Sequence, residues 1–347
     1  MEARLLGKVN IPITLAPMVG LSHVAVRLML REYMPSGAVT LWPTEMLNSR
    51  KIPKQDLAEH PLSLKGEFET ELSPQILGNE EIPIKESVAC LKEWGAESID
   101  INMGCPVNKA LRHNYGVSLM GDINYARDVV AMTVKHTDLP VSVKIRAGFQ
   151  KDREFLKKFV LALQDGGASW LTLHPRLASE KRRGKADWSQ IQLIKEILDI
   201  PVIGNGDVQT SEDVFSMLEQ TGCDMVMVGR ALTARPWLLW QVGAKLGFPP
   251  PKGRQKDELP DTPEKEAVEY GRSLLTLTNY TKQFYEERLG MVRLKFYVKT
   301  SNVWLNFGHS LFTKTRICKT YDEFEATIKL FFESSSLRMT QKTHLRE

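Results

Sequence analysis

The sequence predicts an α/β fold: a (β/α)8 barrel of the TIM type followed by a small C-terminal α-helical domain. Three observations predict it. Short apolar runs alternate with longer amphipathic ones eight times within about 245 residues. The short runs are apolar throughout rather than alternating, which suits parallel strands covered on their outer face by helices. The chain has 347 residues, 42% hydrophobic and 25% charged, which fits one large globular domain with an appendage. That composition excludes a disordered or collagen-like chain, and no stretch approaches the roughly 18 unbroken apolar residues of a membrane span. A doubly wound dinucleotide-binding sheet is the alternative. It calls for GxGxxG after the first strand, where residues 18–23 read Met-Val-Gly-Leu-Ser-His.

Taken in order, the run 13–18 is the first strand, with Ser22 as the N-cap of a helix over 24–33. The run 38–42 is the second strand. Strand 72–77 precedes a helix at 84–94, and strand 98–101 precedes one at 125–136. Strand 141–145 precedes helix 154–165, strand 170–174 helix 188–198, strand 201–203 helix 212–220, and strand 224–228 helix 237–246. Five prolines and many charges then make 248–265 a linker. Beyond it, apolar residues at three- and four-residue spacing predict helices over 266–288, 292–307 and 322–332, with 334–347 frayed. The expected division is a catalytic barrel at 1–247, the linker at 248–265 and a helical domain at 266–347.

The net charge of +4 lies entirely in residues 248–347, which hold 17 basic and 13 acidic side chains. Such asymmetry suits a part that meets a polyanion, or a solubilising tail. Cys90, Cys105, Cys223 and Cys318 form no CxxC motif, and the first ten residues have no signal-peptide core. A reducing, cytoplasmic setting is expected, with no metal centre and no membrane attachment.

In a barrel the chemistry sits at the C-terminal ends of the strands. Those ends carry Pro17-Met18, Glu45, Gln75, Asn102 to Pro106, Lys144 to Arg146, His174 to Arg176, Gly204 to Asp207 and Gly229-Arg230. The glycines after strands 7 and 8, with Arg230, suit a phosphate held on backbone amides; separately each is an ordinary turn or helix start. Lys144 ends a buried strand and needs a partner, either a structural ion pair with Asp100 or Glu45 or an electron-rich ring. His174 is a core histidine or a ligand contact, and Gln75 can both donate and accept at the edge of a flavin or nucleobase. Cys105, between Gly104 and Pro106, is a latent nucleophile and, with an ordinary thiol pKa of about 8.5, a proton donor; nearby Lys109 tends to lower that value. The stretch Lys181-Arg182-Arg183 with Lys185 is a solvated loop or a phosphate contact beside the site. Cations and rings interleave in the helical part at Lys282, Phe284, Tyr285, Arg288, Arg293, Lys295, Phe296, Tyr297, Lys299 and Trp304; most of the rings are expected in the core.

Together the motifs Leu-Ala-Pro-Met-Val-Gly (15–20), Pro-Gln-Ile-Leu-Gly (74–78), Asn-Met-Gly-Cys-Pro (102–106), Lys-Ile-Arg-Ala-Gly (144–148), His-Pro-Arg (174–176), Gly-Asn-Gly-Asp (204–207) and Gly-Arg-Ala (229–231) resemble those of the tRNA-dihydrouridine synthase family of bacterial-type flavoenzymes. The resemblance implies tightly bound FMN, NADPH as electron donor, tRNA as partner and a monomer. It implies that Pro17 and Met18 line the flavin, that Gln75, Lys144 and His174 bond its ring, and that Asn205, Gly206, Asp207, Gly229 and Arg230 hold its ribityl chain and phosphate. Cys105 is then the general acid, with Asn102, Lys109, Arg146 and Arg176 facing the substrate. Two departures stand out: residues 111–120 retain only Gly116 of a glycine-rich run, and Pro175 and Leu177 replace a Gly and a Thr of the usual strand-6 motif. The competing functions are an FMN barrel acting on a small molecule and an RNA-binding protein with a degenerate barrel.

Overall fold

The computed structural model describes residues 7–106, 113–181, 183–333 and 336–343. Its strands are β1 (Ile13–Leu15), β2 (Trp42–Asn48), β3 (Leu72–Leu77), β4 (Ile99–Met103), β5 (Val141–Arg146), β6 (Trp170–His174), β7 (Val202–Asn205) and β8 (Met225–Val228). All pair in parallel, in the order β1-β8-β7-β6-β5-β4-β3-β2. The two edges, β1 and β2, meet without a ladder. Two threonine hydroxyls stitch the seam: Thr14 donates to the Leu41 carbonyl at 2.7 Å and Thr40 to the Ile13 carbonyl at 2.5 Å. This corrects the expected second strand at 38–42. That apolar run borders the seam, and ladder pairing starts only at Trp42, opposite Leu72.

The helices of the barrel are α1 (Val24–Arg31), α2 (Glu81–Trp94), α3 (Ile123–Lys135), α4 (Arg153–Asp165), α5 (Ser189–Lys195), α6 (Ser211–Thr221), α7 (Arg230–Ala234) and α8 (Leu238–Lys245). Side-chain caps set several starts: Asp122 accepts from the Tyr125 amide, Asp152 from Phe155, and Thr210 forms a capping box with Asp213. Ser22 is not the cap of α1. His23 holds that position, and the Ser22 hydroxyl turns back onto the Met18 backbone, tightening the loop after β1.

Alternation along the strands separates two cores. Ile11, Ile13, Leu15, Val226 and Val228 face the helices, in the large outer core. Ala16, Trp170, Ile203, Met225 and Met227, with Val9 and Leu41, form a separate inner cluster. Across the barrel the β3–β5 side is polar: Ser73, Gln75, Asp100, Asn102 and Ser142 are all buried.

Beyond the barrel lie α9 (Pro263–Phe284), α10 (Glu287–Ser301), α11 (Gly308–Ile317) and α12 (Tyr321–Phe332). Helix α9 starts inside the expected linker, with Thr262 as cap and Pro263 at its first turn. It ends at Phe284 because Tyr285 adopts extended backbone and buries its ring against His23. Helix α11 was not expected; its apolar spacing is interrupted by threonines that bond back to the preceding turn. The tail is not frayed over 336–343. Leu305 bridges Met339, Arg338 pairs with Glu264, and Lys342 pairs with Asp213. No helix among the described residues is long and apolar enough to cross a membrane.

The helical segment is bolted to the barrel by buried polar groups. Glu266 accepts from Arg235, and from Trp237 Nε1 and Gln241 Nε2 at 3.1 Å each. Tyr33 donates to Glu269 at 2.7 Å, and Arg293 to Glu45 at 3.1 Å. Arg235 and Glu266 are each 1% exposed, so deleting one strands the other in a medium that cannot solvate it. Glu266→Ala is expected to cost about 3–5 kcal/mol in urea unfolding.

Candidate active site

The strand register brings the sequence-selected residues to one end of the barrel. Gln75 pairs with Asp100, Asn102 with Lys144, Lys144 with Thr172, and Arg146 with His174. A hydrogen-bond chain runs through them from the barrel interior to the Cys105 loop. Ser142 Oγ donates to Asp100 Oδ1 and Gln75 Nε2 to Asp100 Oδ2, both at 2.6 Å. The Gln75 carbonyl then accepts from Asn102 Nδ2 at 2.7 Å. The Asn102 carbonyl in turn accepts from the backbone amides of Gly104 and Cys105, at 3.1 and 2.9 Å. A carboxylate has acceptors only, so Asp100 dictates which way both amides point. Burial raises the Asp100 carboxyl above the ordinary aspartate value, while Ser142, Gln75 and the Lys144 charge oppose it.

The Cys105 loop is gripped from two further sides. Arg146 Nε donates to the Gly104 carbonyl at 2.9 Å, and Gly116, at φ +60°, packs on Cys105 so closely that a Cβ there would lie 2.6 Å from the Cys105 carbonyl oxygen. Gly116, the one glycine kept in the departed run, is therefore the one this packing requires. Lys109 lies outside the described residues.

Lys144 Nζ donates to Asn205 Oδ1 at 3.2 Å, and Asn205 is set by its own bond to the Met227 carbonyl at 2.7 Å. Desolvation brings the Lys144 ammonium down to about 8, with Arg146 acting the same way and Asp100 and Cys105 opposing. Of its two suggested ion-pair partners, Asp100 acts on it through space, but Glu45 does not pair with it. Glu45 instead accepts from the Gly20 amide at 2.5 Å and from Arg293.

His174 is pushed well below the ordinary histidine value, first by burial and then by the charges of Lys144, Arg146, Arg176 and Arg230. It is therefore a neutral ring in a positive field. Arg176 is buried and committed to its own loop, bonding Asp207 at 2.6 Å and the Gly184 carbonyl at 2.6 Å. The other Asp207 oxygen takes the Ala186 amide at 2.6 Å. Both groups thus shape the strand-6 and strand-7 loops. Gly206, at φ +120°, sits against His174 and Ala186, while Gly229 faces Met18, whose sulfur would lie 3.5 Å from a Cβ placed there. Pro17 and Met18 flank this point from the end of β1, and Arg230 opens α7 beside it.

Gln75 is fully buried and Asn102 nearly so, which puts Asn102 between Gln75 and the mouth. Lys181, Arg183 and Lys185 are exposed; Arg182 lies outside the described residues. Tyr285, Tyr297 and Trp304 are core, as expected, whereas Phe296 is exposed. Sequence reasoning missed Ser142 and the orienting part played by Asp100. The signal was present: each stands two residues before a selected one, Lys144 and Asn102, and so on the same strand face.

A model of the dihydrouridine synthase (Dus) family matches residues 14–303. A probable tRNA-dihydrouridine synthase of Rhizobium leguminosarum bv. phaseoli is 32% identical over 263 residues, covering 76% of this chain and 78% of that protein. The tRNA-dihydrouridine synthase B of Vibrio parahaemolyticus is 31% identical, covering 79% of this chain and 81% of its own. A probable tRNA-dihydrouridine synthase of Aquifex aeolicus is 36% identical, covering 65% and 71%.

Lys144 carries its charge only below about pH 8. In protein carrying 13C-methylated lysines, its resonance, assigned with Lys144→Arg, is expected to titrate near 8, against about 10.4 for exposed lysines. A midpoint at the exposed value would remove the desolvated site.

Proposed function

Because the chain belongs to the dihydrouridine synthase family of oxidoreductases, we propose that it reduces the C5–C6 double bond of uridines in tRNA to dihydrouridine, using FMN and NADPH. The observation that carries this reading is the chain Ser142–Asp100–Gln75–Asn102, which ends on the amide of Cys105 and fixes the backbone that carries its thiol. Preorganisation of that kind is what a general acid needs, since proton transfer demands a donor already within hydrogen-bond reach of the acceptor atom.

The donor set fits a flavin nucleotide. Cations crowd around His174, and a dianionic phosphate meets favourable charge there and on the glycine loops after β7 and β8. Gly206 and Gly229, with Asn205, Asp207 and Arg230, are the residues to hold the ribityl chain and phosphate. Pro17 and Met18 would line one side of the ring; Lys144 and His174 would serve its polar edge, with Gln75 acting from behind Asn102. When bound, FMN would supply the hydride for C6 of the uracil, with NADPH as the electron donor.

The protein's own residues do the rest. The uridine must leave its stack to enter the mouth. Asn102, Lys109 and Arg146 are the proposed contacts of the entering base and its phosphates, and Arg176 would act through the loop it holds against Asp207. The Cys105 thiol gives its proton to C5, so that one hydride and one proton saturate the bond. Neutral His174 adds no charge to repel Lys144, whose ammonium would stabilise negative charge on a bound flavin. Residues 1–247 act as the catalytic unit, 248–265 as connector and 266–347 as the unit that grips RNA.

Cys105→Ala is expected to keep its yellow cofactor and its affinity for tRNA but to lose about 10²–10⁴-fold in dihydrouridine formation, read by nucleoside mass spectrometry. Near-normal product from that variant would remove Cys105 from the chemistry.

A further inference from the structure

Helix α10 presents one face that neither the core nor any ion pair uses. Arg288, Val292, Lys295, Phe296 and Lys299 recur at three- and four-residue intervals and so line up on one side. Val292 is 61% and Phe296 39% exposed. Among the described residues, Arg288, Lys295 and Lys299 have no acidic partner within ion-pair distance. Lys282, Lys265 and Arg254, by contrast, are paired. The sequence accounts for this: residues 288–321 contain no Asp or Glu at all and seven Lys or Arg. Only Arg293 of these turns inward, to Glu45.

This face reaches the barrel mouth at one point. Phe296 packs against the loop that follows β1, where a Cβ on Gly20 would come within 2.8 Å of one edge of its ring. Gly20, at φ +77°, is held there by Glu45, and Glu45 by Arg293 one turn before Phe296. Next to Gly20, Val19 is 60% exposed. Val19 and Phe296 thus form an apolar ledge on the rim, beside Met18, with unpaired cations running away from it along the helix.

We propose that Phe296 is a base-stacking platform: an unpaired nucleobase of the RNA, next to the one entering the mouth, stacks on its ring while Lys295, Lys299 and Arg288 hold the adjoining phosphates. An aromatic face flanked by cations recognises single-stranded RNA because every base has a π-face and every nucleotide a phosphate. A protein partner would cover the apolar ledge equally well, but it would have to be strongly acidic to match the acid-free stretch. The proposal rests on the RNA-modifying reading above. It is separable from it, because binding can be measured without turnover.

The test uses FMN-loaded enzyme and fluorescently labelled tRNA transcript. Phe296→Ala is expected to weaken tRNA binding about ten-fold or more and Phe296→Trp to restore it. Phe296→Leu, which still covers Gly20 but has no π-face, is expected to stay weak. FMN affinity is unchanged in all three. Lys299→Ala is expected to reduce the slope of log K against log salt by about 0.7. Leucine binding as well as phenylalanine, or a loss of FMN in step with the loss of tRNA, would reduce Phe296 to a packing residue and overturn the proposal. So would unchanged tRNA binding in Phe296→Ala. Phe296-dependent tRNA binding by an enzyme that forms no dihydrouridine would leave the platform standing and the proposed reaction refuted.

Discussion

The arrangement at the barrel mouth depends on one buried carboxylate. Asp100 has no access to water beyond a trace, and its two oxygens are both engaged, by Ser142 and Gln75. Amide side chains are ambiguous: each end can be donor or acceptor, and two adjacent amides can settle in more than one pattern. A neighbour that only accepts removes the ambiguity. Gln75 must give its N–H to Asp100, leaving its carbonyl for Asn102, which leaves the Asn102 carbonyl for the amides of the Cys105 loop. The Cys105 loop is thus oriented by a carboxylate on its own strand, β4, through a relay that crosses to Gln75 on β3 and back. The low dielectric that makes Asp100 costly to bury also makes its hydrogen bonds strong.

A second constraint joins the two ends of the molecule. Glu45 on β2 receives the Gly20 amide from one side and Arg293 of α10 from the other. The helical segment therefore touches the loop after β1 directly, and Tyr297, next to Phe296 on α10, donates to the Thr233 carbonyl on α7. Helix α10 lies across the junction of β1, β2 and β8, and the rim of the barrel includes residues almost 300 positions into the chain. Shape at the mouth is thus shared between the barrel and its appendage.

Much of this was legible in the sequence, for physical reasons that can be named. Parallel strands buried on both faces give largely apolar runs, so β6 and β8 stand out, while β3 and β5 interleave polar residues that face the interior. The polar residues at their C-terminal ends stand out against them, and Asn102, Cys105, Lys144 and His174 do converge. Local pattern could not tell the seam from a strand, because Thr14 and Thr40 replace a backbone ladder with two hydroxyls. Nor could it read the tail, whose order comes from Trp304, Asn306 and Gln209, all distant in sequence. Asp207 and Arg176 were legible as polar residues near the mouth but not as each other's partners, since that pairing exists only once β6 and β7 lie side by side.

The strand order also bears on how the chain is made. Every strand from β3 to β8 pairs with the one synthesised just before it. β1 is the exception: Ile13 waits for Val226 and Leu15 for Val228. Throughout the translation of the intervening barrel, this apolar strand has no ladder to join. The sheet can grow from β2 onward as a curved, open array, and the first strand to emerge is the last to be paired. A nascent chain arrested before β8 therefore displays Ile13 and Leu15 to solvent and to chaperones, and barrel closure is a late event that depends on contacts of long sequence separation.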